Sequence, residues 1–206
     1  MQIESYNLLN VGIGGQGVIR AVQILSWAAL LEGYKVRTAE THGMAQRGGS
    51  VASYLRFGTK VEGPLIPRGK TDVVLAFEAS EAVRNFSYAG PNTIFLINDN
   101  IIIPPMIHQL GLEYPDIEKI HDFLKNVSSN IHLIQADELA LRAGDKRSMN
   151  VVMLGVLWGS GNIPIKREII ENSIFNLIPN KVHDINKKAF ELGIKRGKTA
   201  RRELNE

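Results

Sequence analysis

The sequence predicts a three-layer α/β/α sandwich. Its sheet is mostly parallel, with a Rossmann-like start and at least one antiparallel strand at about residues 51–57. Three observations predict it. Apolar runs of strand length alternate with helical segments, the pattern of a sheet covered by helices on both faces. A glycine-rich turn, Gly12-Ile13-Gly14-Gly15-Gln16-Gly17, joins the first strand to the first helix. The link from Thr41 to Ser50 is shorter than the roughly dozen residues of a parallel crossover, so the strand after it should run antiparallel to the one before.

Leu8 to Ile13 reads as a short buried strand ending at the glycine turn. Val18 to Leu31 reads as a helix whose polar positions are only Arg20, Gln23 and Ser26. Gly33 ends it, as a glycine just past a helix does. Lys35 to Glu40 is the second strand. Val51 to Phe57 alternates, with Val51, Ser53, Leu55 and Phe57 on one side and Ala52, Tyr54 and Arg56 on the other. Asp72 to Phe77 is a continuous apolar run, expected of a strand covered on both faces. Ser80 to Tyr88 is a helix broken by Gly90-Pro91, and Thr93 to Ile97 is a strand. Residues 99–116 hold Pro104, Pro105 and Pro115 and read as loop or insertion. Ile117 to Lys125 is a helix, Ile131 to Gln135 a strand, and Asp137 to Ala143 a short helix with an acidic cap. Met149 to Trp158 is apolar on all sides. Pro164 starts an amphipathic helix to Ile178, and Lys181 to Arg196 is the last helix.

The helices Val18–Leu31 and Met149–Trp158 are more apolar than a surface helix needs. Each is either central in the sandwich or under a partner subunit. The 206 residues suit a single domain, 1–197, followed by a basic C-terminal tail, 198–206.

Composition narrows the function. There is no cysteine, which excludes disulfides, thiolate nucleophiles and thiolate-held zinc or iron–sulfur sites on this chain. It also fits a cytoplasmic protein. From residue 195 onward the cations outnumber the anions by three, which equals the whole net charge of +3. That end is read as a solvated, fraying terminus, with contact to an acidic partner as the alternative. No basic face interleaved with aromatics points to nucleic acid. No run reaches the roughly 18 apolar residues of a membrane span, and the N-terminus lacks the pattern of a signal peptide.

Gly12, Gly14 and Gly17 match the dinucleotide fingerprint between a strand and a helix, with Glu40 at the end of the next strand as a candidate ribose ligand. A tight turn that needs small residues is the plain alternative. The loop that follows, Thr41-His42-Gly43-Met44-Ala45-Gln46-Arg47-Gly48-Gly49-Ser50, is unlike an ordinary Rossmann loop. Arg47 can clamp a phosphate or carboxylate through two parallel hydrogen bonds. Gly48 and Gly49 can present backbone N–H groups as an anion nest, and His42 can titrate or hydrogen-bond. The alternative is an internally bonded loop docked on a partner. One helix and one strand separate this loop from the glycine turn, so the two should meet in space. The five histidines are scattered without ligand spacing, and His132, in an apolar strand, reads as a core residue. No Walker motif and no nucleophile elbow is present.

The blocks at 12–17, 40–51 (Glu-Thr-His-Gly-Met-Ala-Gln-Arg-Gly-Gly-Ser-Val), 72–78 (Asp-Val-Val-Leu-Ala-Phe-Glu) and 150–155 (Asn-Val-Val-Met-Leu-Gly) resemble the gamma-type domain of 2-oxoacid:ferredoxin oxidoreductases. The resemblance spans about residues 6–195. Within that family, the 40–51 block and Arg56-Phe57-Gly58 are most similar to the beta subunits of indolepyruvate enzymes. The resemblance implies a small subunit, inactive alone, of a hetero-oligomeric oxidoreductase. A large alpha subunit would carry thiamine diphosphate and iron–sulfur clusters, and this chain alone would bind no cofactor. The complex would use ferredoxin and coenzyme A and yield acyl-CoA and carbon dioxide. The isolated chain would self-associate or be stabilised by the large subunit. A non-catalytic assembly module and a free-standing dinucleotide-binding reductase domain are the alternatives. The residues expected to face a cofactor or the active site are Gly14, Gly15, Gln16, Gly17, Thr41, His42, Gly43, Met44, Gln46, Arg47, Gly48, Gly49 and Asn150. No metal ligand and no catalytic residue is assigned.

Overall fold

The structure is a computed structural model that describes residues 3–42, 48–104, 107, 111 and 113–203. Six strands form one sheet: β1 (Tyr6–Ile13), β2 (Lys35–His42), β3 (Ser50–Gly58), β4 (Val73–Ala76), β5 (Ile94–Asn98) and β6 (Ile131–Ile134). Their order across the sheet is β2-β3-β1-β4-β5-β6. β1, β4, β5 and β6 are mutually parallel. β3 lies between β1 and β2 and is antiparallel to both, in register Ile13↔Ser50 and His42↔Val51. The short link before β3 thus has the consequence expected of it.

Among the described residues seven α-helices accompany the sheet: α1 (Val18–Leu31), α2 (Ala79–Arg84), α3 (Ile117–Lys125), α4 (Ala136–Ala143), α5 (Met149–Gly159), α6 (Arg167–Leu177) and α7 (His183–Glu203). One core joins Leu8, Leu55, Phe57, Val73, Leu75 and Leu96 to α1 and α4–α7. A second, on the opposite face, joins Leu9, Val11, Tyr54, Val74, Ala76 and Phe95 to α2 and α3. The alternation along β3 assigns its residues to these two cores as the sequence pattern requires. His132 is buried in β6, a core position as expected.

The two all-apolar helices have different reasons. α5 is buried throughout except at Trp158, and α7 of the same chain covers it. The crossing is close because both helices carry glycines at the contact. A Cβ on Gly155 would lie 2.3 Å from the Phe190 carbonyl oxygen, and one on Gly159 2.4 Å from that of Ile194. Reciprocally, Gly193 would meet the Val152 oxygen at 2.1 Å and Gly197 the Val156 oxygen at 2.3 Å. α1 is different. Its inner face is buried, but Trp27, Leu30 and Leu31 remain 46%, 51% and 52% exposed.

Several boundaries differ from the sequence reading. α6 starts at Arg167, not Pro164, because Ile163 and Ile165 are buried as a loop whose Ile165 carbonyl accepts from Trp158 Nε1 at 3.2 Å. α2 ends at Arg84, and a 3-10 turn, Phe86–Tyr88, replaces its expected last turn. α4 has no acidic cap, since Asp137 lies inside its first turn. α7 runs to Glu203, so the basic segment continues the helix instead of fraying at 197. Ala200 is fully buried there, and the Arg201 guanidinium lies against Gly161. In the stretch read as loop or insertion, residues 101–104 and 113–116 carry no helix or strand, and most of the rest lies outside the described residues.

The crossing of α5 and α7 predicts the effect of a methyl group. Overpacking costs about 1–3 kcal/mol, against the roughly 1 kcal/mol that alanine returns in helix propensity. Gly193→Ala is therefore expected to lower the melting temperature by several degrees, whereas Lys195→Ala, exposed on the same helix, leaves it unchanged. Thermal unfolding followed by circular dichroism checks this. Equal melting temperatures for both variants would show that the backbones are not in contact.

Candidate functional site

The site lies at the C-terminal edge of the parallel strands, where open α/β sheets place their ligands. β1 ends in the glycine turn. A Cβ on Gly12 would lie 2.8 Å from Gln16 Oε1 and 2.9 Å from Phe77 Cβ, so only glycine fits. Gly15 and Gly17 have φ of 107° and 80°, the left-handed region that glycine tolerates. The Gln16 side chain folds back over the turn. Its Oε1 accepts from Ile13 N at 2.7 Å, and its Nε2 donates to the Phe77 carbonyl at 3.0 Å. Gln16 therefore ties β1 to the end of β4. Gly17 caps α1 without a side chain, and no acid occupies that helix's first turn.

The glycine turn and the 41–50 loop meet, as expected. Gly14 N donates to the Gly49 carbonyl at 2.8 Å, and Gly48 N donates to the Gly14 carbonyl at 3.3 Å. This stitch uses both backbone groups of Gly14, the glycine a dinucleotide phosphate would approach. Glu40 is also misplaced for a ribose. It sits on the edge strand β2, separated from β1 by β3, and faces the groove beside Trp27 and Leu30. This geometry weighs against the dinucleotide alternative for Gly12, Gly14, Gly17 and Glu40.

Asn150, at the start of α5, packs against the turn. Its Nδ2 lies 2.6 Å from where a Gly17 Cβ would be. Gly14, Gly15, Gln16, Gly17, Gly48, Gly49 and Asn150 are thus brought together. Thr41 stands apart on β2, its hydroxyl donating to the Ala52 carbonyl at 3.3 Å. The His42 side chain and Gly43, Met44, Ala45, Gln46 and Arg47 lie outside the described residues.

Other residues at this edge carry no motif. A cleft of about 390 Å³ runs from Gly15, Gln16 and Gly17 to Asn100, Asp137 and Lys146. Asp137 accepts from Asn100 Nδ2 at 2.6 Å and faces Lys146 Nζ at 3.7 Å. Asn98 is fully buried below, donating to the Phe77 carbonyl and accepting from Ala136 N. The signal that points to Asn98 and Asn100 is positional, because polar residues directly follow the apolar β5.

Beside the loop, buried Glu78 caps α2, its carboxylate accepting from Glu81 N at 3.0 Å and from Ile102 N at 3.0 Å. Glu81 accepts from the Ser50 hydroxyl and pairs with Arg84 at 3.1 Å. Burial pushes the Glu81 carboxyl above its ordinary value of 4.5, and the Glu78 charge adds to this. The Ser50 hydrogen bond and Arg84 oppose the shift.

Chemically, the edge offers backbone N–H groups, amides, cations and one cleft carboxylate. Among the described residues no three His, Cys, Asp or Glu converge as a metal site, and no helix is long and apolar enough to cross a membrane. The arrangement suits holding an anionic or polar ligand more than making or breaking its bonds.

Residues 7–196 match the family model described as pyruvate ferredoxin/flavodoxin oxidoreductase, and the chain belongs to that family. It is 40% identical to the indolepyruvate oxidoreductase subunit IorB of Pyrococcus horikoshii, over 95% of this chain and 98% of that one. It is also 40% identical to the subunit of the same name from Archaeoglobus fulgidus, over 91% and 92%. Among solved structures, the 2-oxoglutarate:ferredoxin oxidoreductase of Magnetococcus marinus, with 2-oxoglutarate, coenzyme A and succinyl-CoA bound, shares the fold. The TM-score is 0.70 at 21% identity, over 96% of this chain and 32% of that longer one.

Two outcomes are expected of the site. The stitched Gly14 and the displaced Glu40 leave no dinucleotide cradle, so calorimetric titration with NAD or NADP should give no saturable heat. Micromolar binding abolished by Glu40→Ala would revive the reductase reading. For Glu81 the sign follows from linkage. With its pKa raised by folding, the native state binds more protons than the unfolded state between the ordinary value and the raised one. Stability contributed by this group therefore rises as pH falls from neutral through that window. Glu81→Gln should flatten the rise, which denaturant unfolding at a series of pH values measures. An identical pH profile in the variant would rule out Glu81 as its source.

Proposed function

We propose that the chain is the small subunit of a ferredoxin-dependent 2-oxoacid oxidoreductase that acts on indolepyruvate or a related aryl pyruvate. The observation that carries this reading is 40% identity, over nearly the whole of both chains, with a protein named indolepyruvate oxidoreductase subunit IorB. In this proposal a large alpha subunit holds thiamine diphosphate and the iron–sulfur clusters. The complex converts the 2-oxo acid, coenzyme A and oxidised ferredoxin to acyl-CoA, carbon dioxide and reduced ferredoxin. The chain works in the cytoplasm and is inactive alone. The described residues of the site, rich in amides and cations, support a binding and shaping role. Exposed Trp27, Leu30 and Leu31 on α1 support a partner that covers them. The same fold occupying about a third of a longer oxidoreductase chain supports a working unit larger than this chain.

The 40–51 loop, held at its exit by Gly14 and Glu81, is proposed to face the partner's thiamine site. Arg47 is proposed to hold an anionic group there. Removing a hydrogen bond to a charged group costs about 1.5–3 kcal/mol, or roughly 10- to 150-fold. The Arg47→Ala complex is expected to keep its stoichiometry and lose that factor in ferredoxin or dye reduction with indolepyruvate and coenzyme A. Arg47→Lys should restore only part, because an ammonium cannot form the planar fork. An intact complex with unchanged kinetic constants would sink the assignment. Loss of assembly would make Arg47 an interface residue.

A further inference from the structure

The short helix α2 joins two parts of the C-terminal edge that are distant in sequence. Its start holds one wall of the cleft. Ala79 N donates to the Asn100 carbonyl at 3.2 Å, and the Glu78 carboxylate accepts from Ile102 N at 3.0 Å. Asn100 and Ile102 line the cleft together with Gly15, Gln16 and Gly17. The body of α2 holds the exit of the 41–50 loop, where the Ser50 hydroxyl donates to Glu81 Oε2. Glu81 links the two, because its own N–H donates to Glu78 Oε2 at 3.0 Å. Contacts thus run from Ser50 through Glu81 and Glu78 to Ile102.

The residue types exceed what the helix itself needs. Helix starts are capped best by Ser, Thr, Asp or Asn, whose short side chains reach the first-turn N–H groups. Glutamate is not among them, and a buried carboxylate is costly unless donors surround it. Glu78 is 0% exposed and Glu81 4%. Each spends an oxygen outside α2, Glu78 on Ile102 and Glu81 on Ser50. The longer side chain lets Glu78 serve its own helix and a backbone group of another segment at once. Arg84 offsets part of this charge. Its Nε lies 3.1 Å from Glu81 Oε1, and it hydrogen-bonds the Tyr114 side chain.

We propose that Glu78 and Glu81 are positioning residues that fix the cleft wall at Ile102 relative to the loop exit at Ser50. A disturbance at the loop exit then reaches the cleft through two carboxylates, without contact between the two segments. Members of one hydrogen-bond network influence one another by roughly 2- to 150-fold in an equilibrium constant. The coupling itself stands on these contacts alone. Its kinetic consequence rests on the oxidoreductase reading, in which a displaced cleft wall weakens binding of a reactant.

The test starts from Ser50→Ala, which removes one donor at an exposed position and should leave the fold intact, as circular dichroism verifies. Hydrogen exchange of the Ile102 amide is followed by nuclear magnetic resonance in the full chain. It is expected to quicken at least about 2-fold, the lower end of such coupling. Ser50→Thr, which keeps the hydroxyl, should restore the slow rate, and Glu81→Gln, which weakens the acceptor, should fall between. In the complex with the large subunit, Ser50→Ala should raise the KM for indolepyruvate or coenzyme A by a similar factor and leave kcat unchanged. Ser50→Thr should return it. Unchanged exchange at Ile102, or an unchanged KM in an active complex, overturns the proposal. A wild-type complex without activity would count against the oxidoreductase reading alone, and the exchange of Ile102 then decides this inference.

Discussion

The backbone contact between α5 and α7 is the constraint on which the rest of the structure depends. Four glycines, two on each helix, let carbonyl oxygens of one helix approach positions that a methyl group would occupy on the other. That approach lets a 21-residue helix with a strongly polar sequence seal an 11-residue helix that is apolar nearly all round. Without it α5 would lie exposed, and α5 carries Asn150 to the glycine turn. The same contact explains why Gly197 does not end α7. Its missing side chain serves the crossing, and the helix continues over Gly161.

A second constraint is the insertion of β3 between β1 and β2. It moves Glu40 one strand further from the glycine turn and brings Ser50 beside Ile13. The exit of the 41–50 loop then lies next to the turn, and Gly14 closes both backbone hydrogen bonds with it. A fold that starts like a dinucleotide-binding domain is thereby diverted, because the backbone groups of Gly14 are taken by the protein itself. The carboxylates of Glu78 and Glu81 add a buried polar anchor on the other side of that exit, through α2 and Ser50.

The candidate site was legible where its residues are contiguous. The glycine turn, Gln16, the paired Gly48 and Gly49, and Asn150 stand in dense motifs and do converge. Asn98, Asn100, Asp137 and Lys146 were not legible. Each is a single polar residue on a different segment, and only the parallel order β4-β5-β6 aligns the ends of those segments. Glu81 was hidden for a related reason. A glutamate in a short helix reads as solvated until the fold buries it. Glu40 could be no more than a candidate ribose ligand, because a strand's neighbours cannot be seen in its own residues.

The sequence by itself determined the class of fold, the antiparallel direction of β3 and the two faces of its residues. These follow from period, turn chemistry and link length, which are local. Only the tertiary structure decided which apolar helix is covered. α5 and α1 look alike as sequences, yet one is sealed by α7 and the other shows Trp27, Leu30 and Leu31 to solvent. The physical reason is that burial belongs to a pair of surfaces. A helix's own residues state how much apolar area must be covered. What covers it is set by a segment more than thirty residues later in the chain, through glycines whose role appears only at the contact.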